Sequence, residues 1–142
     1  MKRVLIAVDD SVESLAAARC GAALAAGWGA NVLVVTAIDG AAERAPEGAR
    51  ERSQRLAEHV ARDVRAAGNP PQNVDVAVRE GEAFRCILEA AEQWRANLIV
   101  MGVSRRVALR SPYVGSQTEH VLEFAECPVL VVPSVAPQGV RA

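Results

Sequence analysis

The sequence has few aromatic residues and no surplus of charge of either sign. Phenylalanine, tryptophan and tyrosine together make up 4% of the chain, and 16 basic residues face 17 acidic ones, for a net charge of −1. Proteins that bind nucleic acids need a basic surface for the phosphate backbone, and those that bind single strands also stack bases on aromatic rings. The composition therefore predicts no nucleic-acid partner.

The chain also lacks the motifs that mark many catalytic sites. Lys2 is its single lysine, and its place in the chain is a poor one for phosphate or Schiff-base chemistry. Neither the G-x-x-x-x-G-K-[ST] loop of P-loop NTPases nor the G-x-G-x-x-G turn of dinucleotide-binding proteins is present. Gly102 and Ser104 begin like a nucleophile elbow, but Arg106 stands where that motif requires glycine. No catalytic residue is predicted.

Cysteines and long apolar runs are scarce as well. Cys20, Cys86 and Cys127 are an odd number without C-x-x-C spacing, which is typical of reduced core residues rather than of disulfides or a zinc site. No apolar stretch approaches the length of a membrane span, and the stretch that follows the first residues is too short for a signal peptide. We therefore expect a cytoplasmic protein without a membrane partner.

Aliphatic residues, by contrast, are plentiful and follow a pattern. Hydrophobic residues make up 51% of 142, enough for the core of one domain. Short apolar runs, typical of buried strands, alternate with longer amphipathic stretches, typical of helices. The strands are predicted at 4–8, 32–38, 74–78, 97–102 and 128–132, and the helices at 11–27, 47–67, from 81 and from 116. This alternation predicts an α/β fold, a five-stranded parallel sheet with helices on both faces.

The carboxyl edge of such a sheet is where ligands bind, and it would bring together Asp9, Ala37 and the segment 102–116. Ser116 to Glu119 form a capping box, which predicts a helix whose first N–H groups and positive dipole end face this edge. Gly115 would let a phosphate group approach that backbone closely. The alternative is that these residues, like Asp10 or Ser11 before the first helix, only cap a helix.

Five segments together resemble the universal stress protein domain. They are Val8-Asp9-x-Ser11, Glu80-Gly81, 97–102, Gly115-Ser116 and 127–132. The resemblance covers residues 3–133, so we expect one domain over 1–142 with its core at 3–133 and a flexible tail at 134–142. It implies a Rossmann-like fold of the adenine-nucleotide alpha hydrolase type. It also implies a regulatory module of the stress response, in a family with ATP-binding members and members that bind no nucleotide.

The phosphate loop of the ATP-binding members reads glycine, two residues, glycine, nine residues, glycine, then serine or threonine. Gly102 and the pair Gly115-Ser116 match this pattern with the same spacing, but Arg105 occupies the position of the second glycine. An arginine there disfavours a left-handed backbone and fills space intended for phosphates. Its guanidinium is also a good phosphate partner and could replace the lost backbone contacts. Both outcomes remain open.

The resemblance also implies a role for each matching residue. Asp9 would contact the ribose or adenine side with Ala7 beside it, and the adenine pocket would include Ala37 and Met101. The phosphates would be held by Gly102, Ser104, Arg105, Gly115, Ser116 and Gln117. Asp10 would add a second carboxylate near the anionic ligand. Mg²⁺ could accompany the nucleotide and offset the repulsion between the carboxylates and the ligand. The alternative for Asp9 and Asp10 is helix capping alone.

The resemblance further implies a homodimer that pairs through the last strand, residues 129–132, whose apolar edge would otherwise invite aggregation. Two other functions remain open. One is a dimeric scaffold of the same family that binds no nucleotide because of Arg105. The other is an enzyme, at most a slow ATPase, since the chain offers no lysine or well-placed general base for fast phosphoryl transfer.

Overall fold

The computed structural model describes residues 1–9, 11–38, 47–103 and 116–133, and of Ser116 it describes the backbone alone. Strands and helices alternate along these residues, as the sequence predicts. The strands are β1 (Arg3–Ala7), β2 (Asn31–Ile38), β3 (Val74–Glu80), β4 (Leu98–Val103) and β5 (Val129–Pro133). The helices are α1 (Val12–Trp28), α2 (Ala49–Arg65), α3 (Ala83–Trp94) and α4 (Ser116–Phe124). The predicted tail at 134–142 lies outside the described residues.

The five strands form one parallel sheet in the order β3-β2-β1-β4-β5. The chain first moves from β1 outward to β3 and then returns across the sheet to β4 and β5. The strand order therefore reverses between β1 and β4. In open α/β sheets a ligand crevice opens at such a reversal, outside the carboxyl ends of the strands. The prediction of a five-stranded parallel α/β fold is confirmed.

Of the helices in the described ranges, two cover each face of the sheet. In β1, Val4 and Ile6 belong to the apolar cluster formed with α1 and α2, whereas Leu5 and Ala7 belong to the cluster formed with α3 and α4. Successive side chains of a strand point to opposite faces, so a strand covered on both faces must be apolar throughout. This explains the uninterrupted apolar run that the sequence shows at β1.

Helix α1 packs unusually close to the sheet at two glycines. A Cβ atom at Gly21 would lie 2.9 Å from the side chain of Ile6, and one at Gly102 would lie 2.3 Å from the carbonyl oxygen of Glu13. Both distances are shorter than side-chain carbon atoms tolerate. Small residues on the helix and a glycine on β4 therefore fix α1 against β1 and β4.

The ends of α1 are closed by a serine and a glycine. Of Asp10 and Ser11, the N-cap is Ser11, whose Oγ accepts a hydrogen bond of 3.2 Å from the backbone N–H of Ser14. Of the two glycines near the other end, Gly29 is the C-cap and has a left-handed backbone with φ of 64°, a conformation that glycine adopts without strain. The local sequence thus determines both ends of this helix.

The cysteines are free thiols, and none of the described helices could span a membrane. Cys86 is buried, while Cys20 and Cys127 are half-buried, so the prediction of core positions holds fully only for Cys86. Burial raises the pKa of the Cys86 and Cys127 thiols, which keeps them protonated and unreactive near neutral pH. Within the described ranges, every helix is too short or too polar to cross a lipid bilayer.

Candidate functional site

The carboxyl ends of β1 and β4 lie side by side at the point where the strand order reverses. Ile6 is level with Val100 in the parallel pairing of these strands, so the two strands reach the edge of the sheet together. Helix α1, which follows β1, packs on one face, and α4, which follows β4, packs on the other. The chain therefore leaves β1 and β4 toward opposite faces of the sheet, and a crevice opens between these two strands at the edge.

Asp9 lies at this edge, two residues after the end of β1, and its carboxylate is held by two serines. Its Oδ1 accepts hydrogen bonds from the backbone N–H of Ser11 at 2.9 Å and from the Oγ of Ser14 at 2.8 Å, and also from the hydroxyl of Ser11. The Oγ of Ser14 in turn accepts a bond of 2.8 Å from the N–H of Asp9. These contacts fix the carboxylate at the start of α1.

The hydrogen bonds keep Asp9 ionised. Burial raises the pKa of this carboxyl, but the bonds from the side chain and backbone of Ser11 and from the hydroxyl of Ser14 lower it further, so that the pKa lies below the ordinary value of 3.8. The residue as a whole is exposed, and the donors from Ser11 and Ser14 all reach Oδ1. A carboxylate offers lone pairs on both oxygens, so Asp9 can accept a further hydrogen bond from a ligand.

Three apolar residues predicted for the nucleotide site lie at the same edge: Ala37 and Met101 for the adenine pocket and Ala7 beside Asp9. Ala7 and Met101 are buried and belong to the apolar cluster on the α3 and α4 face. Ala7 is level with Val35 of β2, which places Ala37 two residues further along the edge, and Ala37 is half-buried. The structure therefore brings Ala7, Asp9 and Met101 together around the reversal point and places Ala37 on the neighbouring strand.

Gly102 lies beside this group, but its position has a structural reason of its own. The missing side chain would point at α1, against the backbone carbonyl of Glu13. Any residue larger than glycine would push the first turn of α1, and with it Ser14 and Asp9, away from the sheet. Its predicted contact with phosphates remains a prediction.

The residues predicted to hold the phosphates are only partly described. Ser104, Arg105 and Gly115 lie outside the described residues, as does Asp10, the second predicted carboxylate. Ser116 is the first residue of α4. Gln117 follows it, and its side-chain Oε1 accepts a hydrogen bond of 2.9 Å from the backbone N–H of Phe84 in α3.

Two contacts at the site are not evident from the sequence. The sequence predicts Ser14 only as part of a helix, although it bonds Asp9 twice; the spacing Asp9-x-Ser11-x-x-Ser14 is the local signal for this contact. The bond between Gln117 and Phe84 joins residues that are 33 positions apart, and no local pattern indicates it.

Comparison with known proteins agrees with the resemblance drawn from the motifs. The sequence profile of the Universal stress protein family matches residues 1–133. The chain belongs to the universal stress protein family. A relative from Thermus aquaticus, named as a universal stress protein in the QAH/OAS sulfhydrylase 3′ region, is 36% identical over 135 residues, which span 92% of this chain and 98% of that protein.

Solved structures of universal stress proteins share the fold. The universal stress protein UspA from Lactobacillus plantarum is 26% identical, with a TM-score of 0.72 over 92% of this chain and 97% of that one. The universal stress protein from Archaeoglobus fulgidus in complex with dAMP is 25% identical, with a TM-score of 0.71 over 93% of this chain and 97% of that one. A five-stranded α/β architecture is therefore common to this chain and these family members.

Proposed function

We propose that this universal stress protein binds ATP or another adenine nucleotide and acts as a cytoplasmic regulatory module in the stress response. The observation that carries the proposal is the ionised, exposed carboxylate of Asp9, which Ser11 and Ser14 hold through Oδ1 at the reversal point between β1 and β4. The Archaeoglobus fulgidus relative in complex with dAMP supports an adenine nucleotide as the ligand.

In this proposal the parts of the nucleotide divide along the edge of the sheet. The carboxylate of Asp9 accepts a hydrogen bond from a ribose hydroxyl, and Ala7, Ala37 and Met101 offer apolar surface to the adenine ring. The phosphates extend toward the start of α4, where backbone N–H groups and the helix dipole favour negative charge. The proposed phosphate contacts are Gly102, Ser104, Arg105, Gly115 and Ser116, and the family resemblance adds Gln117.

A magnesium ion would enter with the phosphates. The described residues hold no group of three carboxylate, histidine or cysteine side chains that could bind a metal on their own. Mg²⁺ binds nucleotide phosphates through one or two protein carboxylates and water, and Asp9 is a carboxylate at the reversal point of this edge. The ion would reduce the repulsion between that carboxylate and the phosphates.

Arg105 favours a second candidate, a scaffold of the same family that binds no nucleotide. It replaces the second glycine of the phosphate loop, and its side chain has the volume to occupy the phosphate space. The variant Arg105→Gly separates the two functions in a titration with ATP. Tighter binding than in the native protein would mean that the arginine obstructs the loop, and weaker binding that it contributes to the phosphate contacts.

We further propose that the chain forms a homodimer through β5. The two edge strands of the sheet differ in character: β3 carries Asp75, Arg79 and Glu80, whereas β5 is apolar from Val129 to Val132 and only half-buried. Charged residues protect an edge from pairing, and an apolar edge invites it. We expect light scattering at micromolar concentration to give twice the mass of the chain, and a monomeric mass would contradict this part of the proposal.

The role of Asp9 is tested by calorimetric titration with ATP and Mg²⁺. Asp9→Ala should weaken binding about tenfold to a hundredfold, because a hydrogen bond to a charged group contributes about 1.5–3 kcal/mol. Ser11→Ala is the control: it removes the cap of α1 and one donor to Oδ1 but keeps the carboxylate. Equal losses of ATP affinity in the two variants would mean that Asp9 acts only through the start of α1. A titration of the native protein that shows no heat of binding would favour the scaffold.

A further inference from the structure

The start of α3 is closed by a residue from another helix. Its N-cap position is Glu82, whose side chain makes no capping hydrogen bond. The first N–H groups of a helix have no partner within the helix and need an acceptor. Gln117, the second residue of α4, supplies one: its Oε1 lies 2.9 Å from the backbone nitrogen of Phe84 in the first turn of α3.

The same residue of α3 makes a second contact with α4. The ring of Phe84 stacks on the imidazole of His120, with 4.5 Å between the ring centroids and 19° between the planes. Gln117 and His120 are three residues apart, so they lie on one face of α4. Backbone and ring of Phe84 are therefore both held by α4, within the first five residues of that helix.

These contacts determine where α4 begins relative to the sheet. The helix starts at Ser116, next to Gln117, so the direction of its first N–H groups depends on how Gln117 is held. The bond to Phe84 uses the oxygen of the Gln117 amide. This oxygen and a phosphate oxygen both accept hydrogen bonds, so they cannot form one with each other. The acceptor is committed to α3 and serves to position the helix.

We infer that Gln117 and Phe84 position the phosphate-binding end of α4, with Gln117 acting through α3 as a positioning residue. The inference rests on the proposed nucleotide function and gives Gln117 a role different from direct contact with the terminal phosphates. It makes Phe84 of α3, which contacts α4, a determinant of ATP affinity.

A double-mutant cycle on ATP affinity tests this inference. Gln117→Met removes the acceptor and keeps the length of the side chain, and Phe84→Leu removes the ring and keeps the backbone N–H. Each change should weaken ATP binding roughly fivefold. The double variant should lose no more affinity than the more affected single variant, because the effects of residues that act as one unit do not add up. Gln54→Met, at an exposed glutamine of α2, is the matched control and should leave ATP affinity unchanged.

Two further measurements separate positioning from general loss of structure. Phe84→Tyr keeps both the ring and the N–H and should bind ATP as the native protein does. Hydrogen exchange at the amide of Phe84, measured without nucleotide, should accelerate in Gln117→Met and stay slow in Gln54→Met. Thermal unfolding of each variant shows whether the protein is folded at the temperature of the titration.

The outcomes distinguish this inference from the proposed function. If the native protein binds ATP and Phe84→Leu does so with unchanged affinity, the positioning role is overturned while the proposed function stands. If Gln117→Met alone weakens binding, Gln117 contacts the phosphates directly and the inference is also overturned. If the native protein binds no adenine nucleotide, the proposed function fails and the inference fails with it, and the exchange rate at Phe84 then reports a purely structural bond.

Discussion

Helices α1 and α3 both begin at the carboxyl edge of the sheet, but their first turns are closed in different ways. The start of α1 is closed by its own neighbours, since Asp9, Ser11 and Ser14 bond one another within six residues. The start of α3 is closed by Gln117, which is 33 positions away from its partner Phe84. A locally closed start is a property of the segment, whereas the start of α3 requires α4 to be in place.

The difference matters for the proposed site because each helix start determines the position of a different part of it. The local hydrogen bonds before α1 hold the carboxylate of Asp9, the proposed ribose contact. The contact between α3 and α4 determines the position of the proposed phosphate contact. We therefore expect the ribose end of the site to be rigid by itself and the phosphate end to depend on the packing of two helices.

The largest effect should come from moving the start of α1 as a whole. Gly102→Ala places a Cβ atom 2.3 Å from the carbonyl oxygen of Glu13, and a backbone atom cannot move aside without displacing its helix. We expect a loss of about 3 kcal/mol in the free energy of unfolding, at the upper end of the cost of overpacking, together with weaker nucleotide binding. Denaturation in urea measures the first and calorimetry the second.

Gly27→Ala is the matched control for this prediction. Gly27 lies near the end of α1, where a Cβ atom would meet nothing within 4 Å, so alanine there should leave stability unchanged or raise it by about 0.5 kcal/mol. If Gly102→Ala were as stable as Gly27→Ala, the close approach of α1 to β4 would not be what fixes the start of α1.

The local start of α1 is also the part of the site that the sequence predicts best. The apolar run of β1 followed by Asp9 and Ser11 indicates a strand, an edge and a helix cap, and all three are found. The sequence also identifies Gly102, although for the phosphate loop; its packing against Glu13 depends on how closely α1 approaches β4, which no spacing along the chain encodes. The acceptor role of Gln117 is hidden for the same reason, because it depends on the relative position of α3 and α4.

A smaller effect should follow from opening the local hydrogen bonds one at a time. Ser14 is buried, and its hydroxyl both accepts from the N–H of Asp9 and donates to its carboxylate. Ser14→Ala should cost about 2 kcal/mol in the free energy of unfolding, the range for leaving a buried polar group without its partner, and should move the pKa of Asp9 upward. Urea denaturation and NMR titration of the carboxyl carbon measure the two effects.

Ser53→Ala on α2 corrects for the higher helix propensity of alanine, because Ser53 also lies inside a helix. A Ser14→Ala variant as stable as Ser53→Ala would show that the bonds to Ser11 alone hold Asp9, and the description of α1 as closed by three mutually bonded residues would be wrong.

The smallest effect is expected in acid, where the local start of α1 should lose its charge. The pKa of Asp9 in the folded protein is below the 3.8 of an ordinary carboxyl, since the hydrogen bonds from Ser11 and Ser14 outweigh the effect of burial. A carboxyl whose pKa is lowered by folding contributes stability that is complete above its unfolded pKa and is lost as the pH falls through the folded one. The stability difference between the native protein and Asp9→Asn should therefore stay constant between about pH 7 and 5 and shrink below about pH 4.

Urea denaturation at these pH values measures that difference, and Asp75→Asn on the exposed surface of β3 controls for the loss of a carboxylate as such. Asparagine keeps an oxygen acceptor for Ser11 and Ser14 but cannot ionise, so the comparison isolates the charge. A difference that grows in acid would mean that the protonated form of Asp9 is the one that the fold favours. In that case the proposed ribose contact would be a hydrogen-bond donor, and the two helix starts would differ in charge as well as in the origin of their partners.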